Sequence, residues 1–372
     1  MNSICWQINL QKHFGGGEVY TAFVSRALRR RGWQVHTLVA EDARFWRGLN
    51  LGGGELHAIR NHAQIMDLLA NRPGVIVNHG APSAELNAGL AGESRYTAIA
   101  HMPIHNRNPE PFQPCARVFG VSAYVIRTLR QRGLTNVYGD PLYGVADLDR
   151  GETDARHIIA RSRYDWDERK LRDRSFKYIE PLCNRFTPTR IFTPRPGLTL
   201  GIVSRLTTIK QFPELLKWLA PVIHAYPGVN LEIFGAGGWR SVKDLEHILK
   251  PIAERVRWWG FQQDIKRIYG LVDFVLGGLP EMEALGLNLL EAQAMGTPVL
   301  AVNAPPFEET VEDGHGGFRY TDPREDAGAD FHRLLGQLVS GLRPDPAREK
   351  HLRRFDLHRF GARLEKAIHC VV

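Results

Sequence analysis

The chain has 372 residues, of which 43% are hydrophobic and 24% are charged, and its formal net charge is +8. This length exceeds what one hydrophobic core usually supports, so two domains are expected. The longest apolar runs fall short of the roughly 20 residues that span a bilayer, the N-terminus does not resemble a signal peptide, and the four scattered cysteines exclude a disulfide framework.

Short apolar strands alternate with helical patterns from end to end, which predicts an α/β protein with parallel sheets. In the first half, a strand at 4–10 leads through Gly15-Gly16-Gly17 into a helix that Gly32 ends. Four more strands are predicted there, at 34–39, 75–78, 96–100 and 118–121, and Ser122 is expected to cap a helix that runs to about Arg132.

Residues 186–197 contain three prolines and no periodicity, and we interpret them as a linker. After them the alternation restarts. Strands are predicted at 198–203, 230–234, 256–259, 274–276 and 298–302. The pattern predicts two doubly wound domains, over 1–185 and 198–352. The stretch 150–180 is dense in both charges and is predicted to be an exposed helix, with a docking surface as the alternative.

Two cations follow the strand at 198–203, where an open α/β sheet presents its ligand crevice. Arg205 offers a planar fork and Lys210 a compact charge, and both suit phosphate oxygens. After the next strand, Gly235 lets the backbone approach a ligand closely, although a plain tight turn is the alternative. An NAD site is not expected, because Arg240 stands where the fingerprint needs its third glycine.

Two further segments complete this pattern. At Gly260 and Phe261, backbone groups could bond a base edge while an apolar side chain covers the base. Glu283 and Glu291, with seven residues between them, flank a helix start at Gly286. A carboxylate can accept hydrogen bonds from two vicinal hydroxyls, and the amides of a helix start, here those of Leu287 and Asn288, can hold a diphosphate.

The run from Gly201 to Tyr320 resembles the C-terminal domain of retaining GT-B glycosyltransferases of the group 1 family, which carry Glu-x7-Glu in this setting. The resemblance implies two Rossmann-like domains that face each other across a cleft. It also implies that a C-terminal helix, at about 353–372, packs back on the first domain.

The resemblance further implies the roles of single residues. Arg205 and Lys210 would bind the donor diphosphate, Glu291 the ribose hydroxyls, and Glu283 the donor sugar. Two positions depart from the family pattern. Glu281 stands where serine is usual, which could alter the donor sugar that fits, and Gln211 stands where glycine usually follows the lysine.

The first half resembles the family more weakly. Gly16 and Gly17 match the glycine loop near the donor phosphates, where side chains would block the substrates. His101 falls where the family often has an active-site histidine followed by aspartate, and Met102 replaces that aspartate. His105 is a nearby competitor for this role. A structural role is the usual one for a single histidine.

These features predict a retaining glycosyltransferase that moves a sugar from a UDP- or GDP-sugar to a saccharide or glycolipid, in polysaccharide or lipopolysaccharide synthesis. Arg205, Lys210 and the helix amides would stabilise the leaving diphosphate, so neither a metal nor another cofactor is expected. Asp-x-Asp occurs at Asp147 and at Asp165, in charged surroundings that suggest coincidence.

Two other functions remain open. A nucleotide-sugar epimerase could use the same architecture, and the positive charge could belong to a noncatalytic binder of nucleic acid or lipid. Residues 1–185 hold 25 Lys and Arg against 18 Asp and Glu, a field that can attract anionic lipid. We expect a cytoplasmic protein, with peripheral contact at the inner face of the membrane as an option. Nucleic acid is not expected, because an interleaved aromatic and basic platform is not apparent.

Overall fold

The computed structural model describes residues 3–12, 14–144, 157–166, 173, 190–262, 264–345 and 349–371. The chain divides into two compact units. The first unit comprises Met1–Asp147 and Arg353–Val372, and the second comprises Leu148–Leu352. Among the described residues, no helix combines the length and the apolar content needed to cross a bilayer.

The first unit is built on a six-stranded parallel sheet with the order β3-β2-β1-β4-β5-β6. Its strands are β1 Ile4–Asn9, β2 Gln34–Ala40, β3 Glu55–Ile59, β4 Val75–His79, β5 Tyr96–Ala100 and β6 Arg117–Gly120. Its helices are α1 Gly16–Arg30, α2 His62–Leu69, α3 Ala84–Leu90 and α4 Ala123–Gln131. The cap predicted at Ser122 is present, since its Oγ accepts a hydrogen bond from the amide of Val125 at 3.1 Å.

The second unit is also built on a six-stranded parallel sheet, with the order β12-β11-β10-β7-β8-β9. Read from β9, this order has the same pattern as that of the first sheet. Its strands are β7 Leu198–Val203, β8 Val229–Phe234, β9 Val256–Gly260, β10 Phe274–Leu276, β11 Val299–Val302 and β12 Gly317–Tyr320. Its described helices are α5 Phe212–His224, α6 Trp239–Ile248, α7 Ile265–Tyr269, α8 Leu287–Ala294, α9 Phe307–Thr310, α10 Pro323–Asp326, α11 Ala329–Val339 and α12 Glu349–Leu352. Both sheets therefore have the Rossmann-like, doubly wound topology, and the predicted α/β class is confirmed.

The last helix, α13 Leu357–His369, belongs to the first unit. Its buried Phe360 meets the ring of Tyr20 on α1 edge to face, with ring centroids 5.6 Å apart. Nearby, Glu365 accepts a hydrogen bond from the indole of Trp33 at 3.1 Å and pairs with Arg31. The end of the chain thus completes a domain that its beginning starts.

The boundary between the units differs from the one expected at 185–198. Ile159 pairs with Ile191, and Tyr164 with Gly237, so the described residues near 160 join the second unit. The described part of the expected linker is also held there. Arg195 pairs with the fully buried Glu232 on β8 at 2.9 Å, because a buried carboxylate needs charged partners. Most of the charged stretch 150–180 lies outside the described residues.

Candidate donor site and histidine network

In the second unit, the candidate site residues follow the carboxyl ends of neighbouring strands. Lys210 follows β7 and Glu283 follows β10, and their side chains form an ion pair that is mostly buried. Oε1 of Glu283 also accepts hydrogen bonds from the amides of Gly286, at 3.1 Å, and Ala284, at 3.3 Å. Burial raises the pKa of the Glu283 carboxyl, but Lys210 and these amides outweigh it and hold that pKa below its usual value.

Glu291 lies inside α8 and has a partner that the sequence did not point to. The hydroxyl of Tyr269, the last residue of α7, donates a hydrogen bond to Oε2 of Glu291 at 2.9 Å. Tyr269 is buried, and burial together with the Glu291 charge raises the pKa of its hydroxyl well above the usual value. The hydroxyl therefore stays protonated and fixes one carboxylate oxygen by donating to it.

The helix start between the two glutamates has the expected form. Gly286 precedes α8 with φ 77° and ψ 50°, a left-handed conformation that favours glycine, and has no side chain to cap the helix. The first two helical amides, those of Leu287 and Asn288, have no preceding helical carbonyl to bond, whereas the amide of Leu289 donates to the carbonyl of Gly286 at 2.9 Å. The side chain of Asn288 donates to the carbonyl of Val203 at 3.3 Å, which ties this helix start to the end of β7.

Arg205 lies just beyond β7, half-exposed, and its guanidinium is 3.6 Å from the carboxylate of Asp165. The loop around it is packed against the glycine turn after β8. A Cβ added to Gly235 would lie 1.8 Å from the carbonyl oxygen of Ser204. Glycine is therefore required at this position by the approach of two backbone segments, whether or not a ligand is present.

Gly260 is the last residue of β9, and Phe261 follows it directly. Gly260 has φ 67°, and an added Cβ would lie 2.2 Å from the carbonyl of Ser162, so this glycine too has a packing role. Phe261 keeps 47% of its surface exposed beside it. An exposed aromatic ring at the end of a strand can cover a planar ligand.

The two departures from the family pattern have structural counterparts. Glu281 pairs with Arg324, which also pairs with Asp322, so the additional carboxylate belongs to a small ionic cluster. Gln211 adopts φ 52° and ψ 29°, left-handed values that glycine adopts at lower energy. The sequence shows that Gln211 replaces the usual glycine, and its left-handed backbone conformation shows why glycine suits this position.

In the first unit, a chain of hydrogen bonds holds the expected active-site histidine. Nε2 of His101 lies 3.0 Å from Nδ1 of His79, and Nε2 of His79 lies 2.9 Å from Oε1 of Gln7. Nε2 of Gln7 in turn donates to Oγ1 of Thr37 at 3.3 Å. Since Oε1 only accepts, the network assigns the His79 proton to Nε2 and the His101 proton to Nε2. Nδ1 of His101 is left as an acceptor.

The competitor, His105, lies apart from this chain of hydrogen bonds. Its Nε2 is 3.5 Å from the hydroxyl of Tyr124, and its φ is 43°. Burial lowers the pKa of His101 to about 4, so this imidazole is neutral at physiological pH. His79 directly follows the strand predicted at 75–78, where the sequence places a histidine at a strand end. Gln7, on the strand predicted at 4–10, is a contributor that the sequence did not point to.

The glycine loop of the first unit opens α1. Gly16 is its first residue, and a Cβ added to Gly17 would meet nothing within 4 Å. The fold therefore does not itself require glycine at position 17. Of the Asp-x-Asp residues, Asp165 faces Arg205, while Asp147, Asp149 and Asp167 lie outside the described residues.

Comparison with known proteins supports the expected family for the second unit. Residues 197–338 match the family model described as "Glycosyl transferases group 1". The D-inositol 3-phosphate glycosyltransferase of Corynebacterium urealyticum is 31% identical over 157 residues, which are 40% of this chain and 36% of that protein. The lipopolysaccharide core biosynthesis glycosyltransferase LpsE of Rhizobium meliloti is 29% identical over 155 residues, 41% of this chain and 42% of that protein. The matches thus span about two fifths of these relatives.

The fold is similar to solved structures over the whole chain. Anabaena HepE in complex with UDP and glucose superposes with a TM-score of 0.70, covering 99% of this chain and 100% of that one at 17% identity. The two six-stranded parallel sheets with flanking helices are those of the GT-B fold, as predicted.

Proposed function

We propose that the protein is a retaining glycosyltransferase that moves a sugar from a UDP- or GDP-sugar to a hydroxyl of a saccharide or glycolipid. The observation that carries this proposal is the pairing of Lys210 with Glu283 beside the start of α8, with Glu291 fixed by Tyr269 inside that helix. These groups supply a cation, the amides of a helix start and two oriented carboxylates, which the fold brings together in the second unit.

In the proposed site, Arg205, Lys210 and the amides of Leu287 and Asn288 hold the donor diphosphate. The bond between the anomeric carbon and the phosphate oxygen breaks, and these donors stabilise the charge that develops on the leaving group. This arrangement makes a metal ion unnecessary for the departure. Glu283 shares Lys210 with the phosphate and accepts hydrogen bonds from the donor sugar.

The remaining contacts position the nucleoside and the acceptor. Glu291 accepts hydrogen bonds from the ribose hydroxyls, while Phe261, with the backbone near Gly235 and Gly260, lies against the base. Gly16 and Gly17 leave room for the phosphates, and His101 presents Nδ1 as an acceptor for a sugar hydroxyl. The new bond forms on the face that the phosphate leaves, and the acceptor proton passes to the leaving phosphate oxygen.

We place this reaction in cell-envelope polysaccharide or lipopolysaccharide assembly. The match to LpsE, which is named for lipopolysaccharide core biosynthesis, supports that setting. The positive charge of residues 1–185 would favour a glycolipid acceptor at an anionic surface, with peripheral binding at the inner face of the cytoplasmic membrane. Cosedimentation with anionic and with neutral vesicles tests the proposed peripheral binding to an anionic membrane.

The activity is tested by incubating the protein with UDP- and GDP-sugars, with and without candidate acceptors, and measuring nucleoside diphosphate release. We expect one donor to raise the thermal midpoint and to be consumed only when acceptor is present. Consumption without acceptor would indicate an epimerase, and stabilisation by none of these donors would overturn the proposal. An anomeric configuration that is inverted in the product would rule out retention.

Substitutions in the second unit provide the sharper test. Lys210→Ala should lower kcat about 10²–10³-fold, because it removes charge stabilisation at the leaving group. Glu291→Gln should raise KM for the donor about 10–100-fold, because it removes a charged acceptor for the ribose. Glu308→Gln, an exposed carboxylate on α9, is the matched control and should leave both constants unchanged. Salt-sensitive binding without turnover in the wild type would instead favour a noncatalytic binder.

A further inference from the structure

Two strands at the edge of the first sheet bring three potential metal ligands together. His36 on β2 is in register with Glu55 on β3, and His57 follows Glu55 by two residues. Side chains two residues apart in a strand project from the same face of the sheet. The pairing therefore places all three side chains on one face, and β3 is the edge strand there.

The distances among the three side chains are those of a coordination site. Nδ1 of His36 lies 3.1 Å from Nε2 of His57 and 3.2 Å from Oε2 of Glu55. The same Nε2 and Oε2 atoms are 3.7 Å apart. Tetrahedral ligands at about 2.1 Å from a zinc ion lie about 3.3–3.4 Å from one another. The triangle has the size of one face of that tetrahedron.

We propose that His36, Glu55 and His57 bind a divalent first-row transition metal ion, with Zn²⁺ as the preferred ion. Two imidazole nitrogens and one carboxylate oxygen suit zinc, whereas Mg²⁺ and Ca²⁺ prefer sites made of oxygen. Three protein ligands leave the fourth position to water. The side chain of Glu55 is 69% exposed, so an ion can enter from solvent.

The ring of His36 is held in place before any ion binds. It stacks on the indole of Trp6, with centroids 4.1 Å apart and planes 14° apart. Trp6 is buried and anchored by a hydrogen bond from Nε1 to the carbonyl of Pro73 at 3.1 Å. The guanidinium of Arg72 lies over the same indole, and its charge opposes a second cation nearby. The fixed ring of His36 favours binding, whereas the nearby positive charge of Arg72 opposes it. We therefore expect an affinity lower than that of a closed structural zinc site.

The metal site is separate from the histidine network described above. Trp6, His36 and Glu55 occupy equivalent levels of three neighbouring strands and share one face of the sheet. Gln7 and Thr37, which belong to the His101 network, are one residue further along and project from the opposite face. The bound ion would therefore join β3 to β2 and stabilise the sheet edge, and this inference does not depend on the proposed reaction.

Calorimetric titration of the metal-free 372-residue chain with ZnCl₂ tests the site. We expect one site in the wild type whose affinity falls at least about tenfold in His57→Gln. Glu55→Gln should weaken it in the same direction, and this exposed position carries little risk to folding. His358→Gln, an exposed histidine on α13, is the matched control and should bind as the wild type does. MgCl₂ should give no comparable binding.

A second measurement reports the geometry and the stabilisation. Co²⁺ should give the intense visible absorption of a four-coordinate ion in the wild type and lose it in His57→Gln. ZnCl₂ should raise the thermal midpoint of the wild type more than that of the variant. No Zn²⁺ binding by the wild type, or binding that both His57→Gln and Glu55→Gln leave unchanged, would overturn the site.

Discussion

At the scale of single residues, the environment of His101 makes a prediction about pH. Burial lowers its pKa to about 4 in the folded chain, while the unfolded chain restores about 6.5. Between these values the unfolded state binds more protons, so the free energy of unfolding rises with pH. The stability that the neutral His101 imidazole contributes is fully present above about pH 6.5 and is lost as the pH falls toward 4. For this one group, the loss between pH 7 and pH 5 is about 2 kcal/mol.

Urea denaturation at these two pH values measures the effect. His101→Asn should show a pH dependence smaller by about 2 kcal/mol than that of the wild type. The exposed His358→Gln should show the wild-type dependence. An equal pH dependence in His101→Asn would mean that this imidazole does not titrate as its burial requires.

Gln211 provides the opposite kind of test, because its backbone is unfavourable for its side chain. It adopts φ 52°, where a residue with a Cβ is strained by about 1 kcal/mol. Gln211→Gly should raise the free energy of unfolding by about 0.5–1 kcal/mol. Gln337→Gly, an exposed glutamine within α11, should lower it by about as much, since glycine weakens a helix interior. Calorimetry of both variants measures whether the free energy of unfolding rises in the first and falls in the second.

At the scale of elements, α1 and the turn after β8 show that glycines of similar sequence context have different roles. An added Cβ at Gly17 meets open space, whereas one at Gly235 meets the carbonyl of Ser204 at 1.8 Å. Both glycines were expected beside the donor. Only the tertiary structure distinguishes a glycine that packing requires from one that packing leaves free.

Gly17→Ala and Gly235→Ala therefore form a matched pair. Gly17→Ala should keep or slightly raise the thermal midpoint, because alanine favours the helix by up to about 1 kcal/mol, and should lower turnover if the loop lies beside the donor. Gly235→Ala should lower the midpoint by forcing two backbone segments apart. Full turnover in Gly17→Ala would remove that residue from the proposed site.

The elements themselves were predicted unevenly. The strand at 198–203 was predicted with both ends correct, because it is mostly apolar and lies between Gly197 and Ser204. The edge strands Glu55–Ile59 and Gly317–Tyr320 were not predicted. Edge strands have one exposed side, so residues such as Glu55 and His57 interrupt the apolar pattern that identifies a buried strand.

At the scale of the whole molecule, the packing of α13 on α1 joins the two ends of the chain within the first unit. Phe360 is fully buried against Tyr20. Phe360→Ala should lower the free energy of unfolding by about 3–5 kcal/mol, the usual loss for a buried aromatic residue. Val339→Ala, at an exposed position on α11, should change it by no more than about 0.5 kcal/mol. Urea denaturation of both variants measures the difference.

The sequence by itself determined the α/β class and most of the strands, because these depend on local periodicity. It also predicted Glu283, Glu291, Arg205 and Lys210 as donor-binding residues, from their chemistry and their order between Gly201 and Tyr320. The tertiary structure decided which side chains meet. Lys210 pairs with Glu283, and Tyr269 with Glu291, across loops whose approach no local pattern encodes.

The tertiary structure likewise decided the boundary between the units. Proline content suggested a linker at 186–197, whereas the partners of Arg195 and Ile191 attach its described part to the second unit. The cluster of His36, Glu55 and His57 has the same origin, since strand register brings together residues about twenty positions apart. Contacts of this kind depend on packing between distant segments, and therefore only the folded chain reveals them.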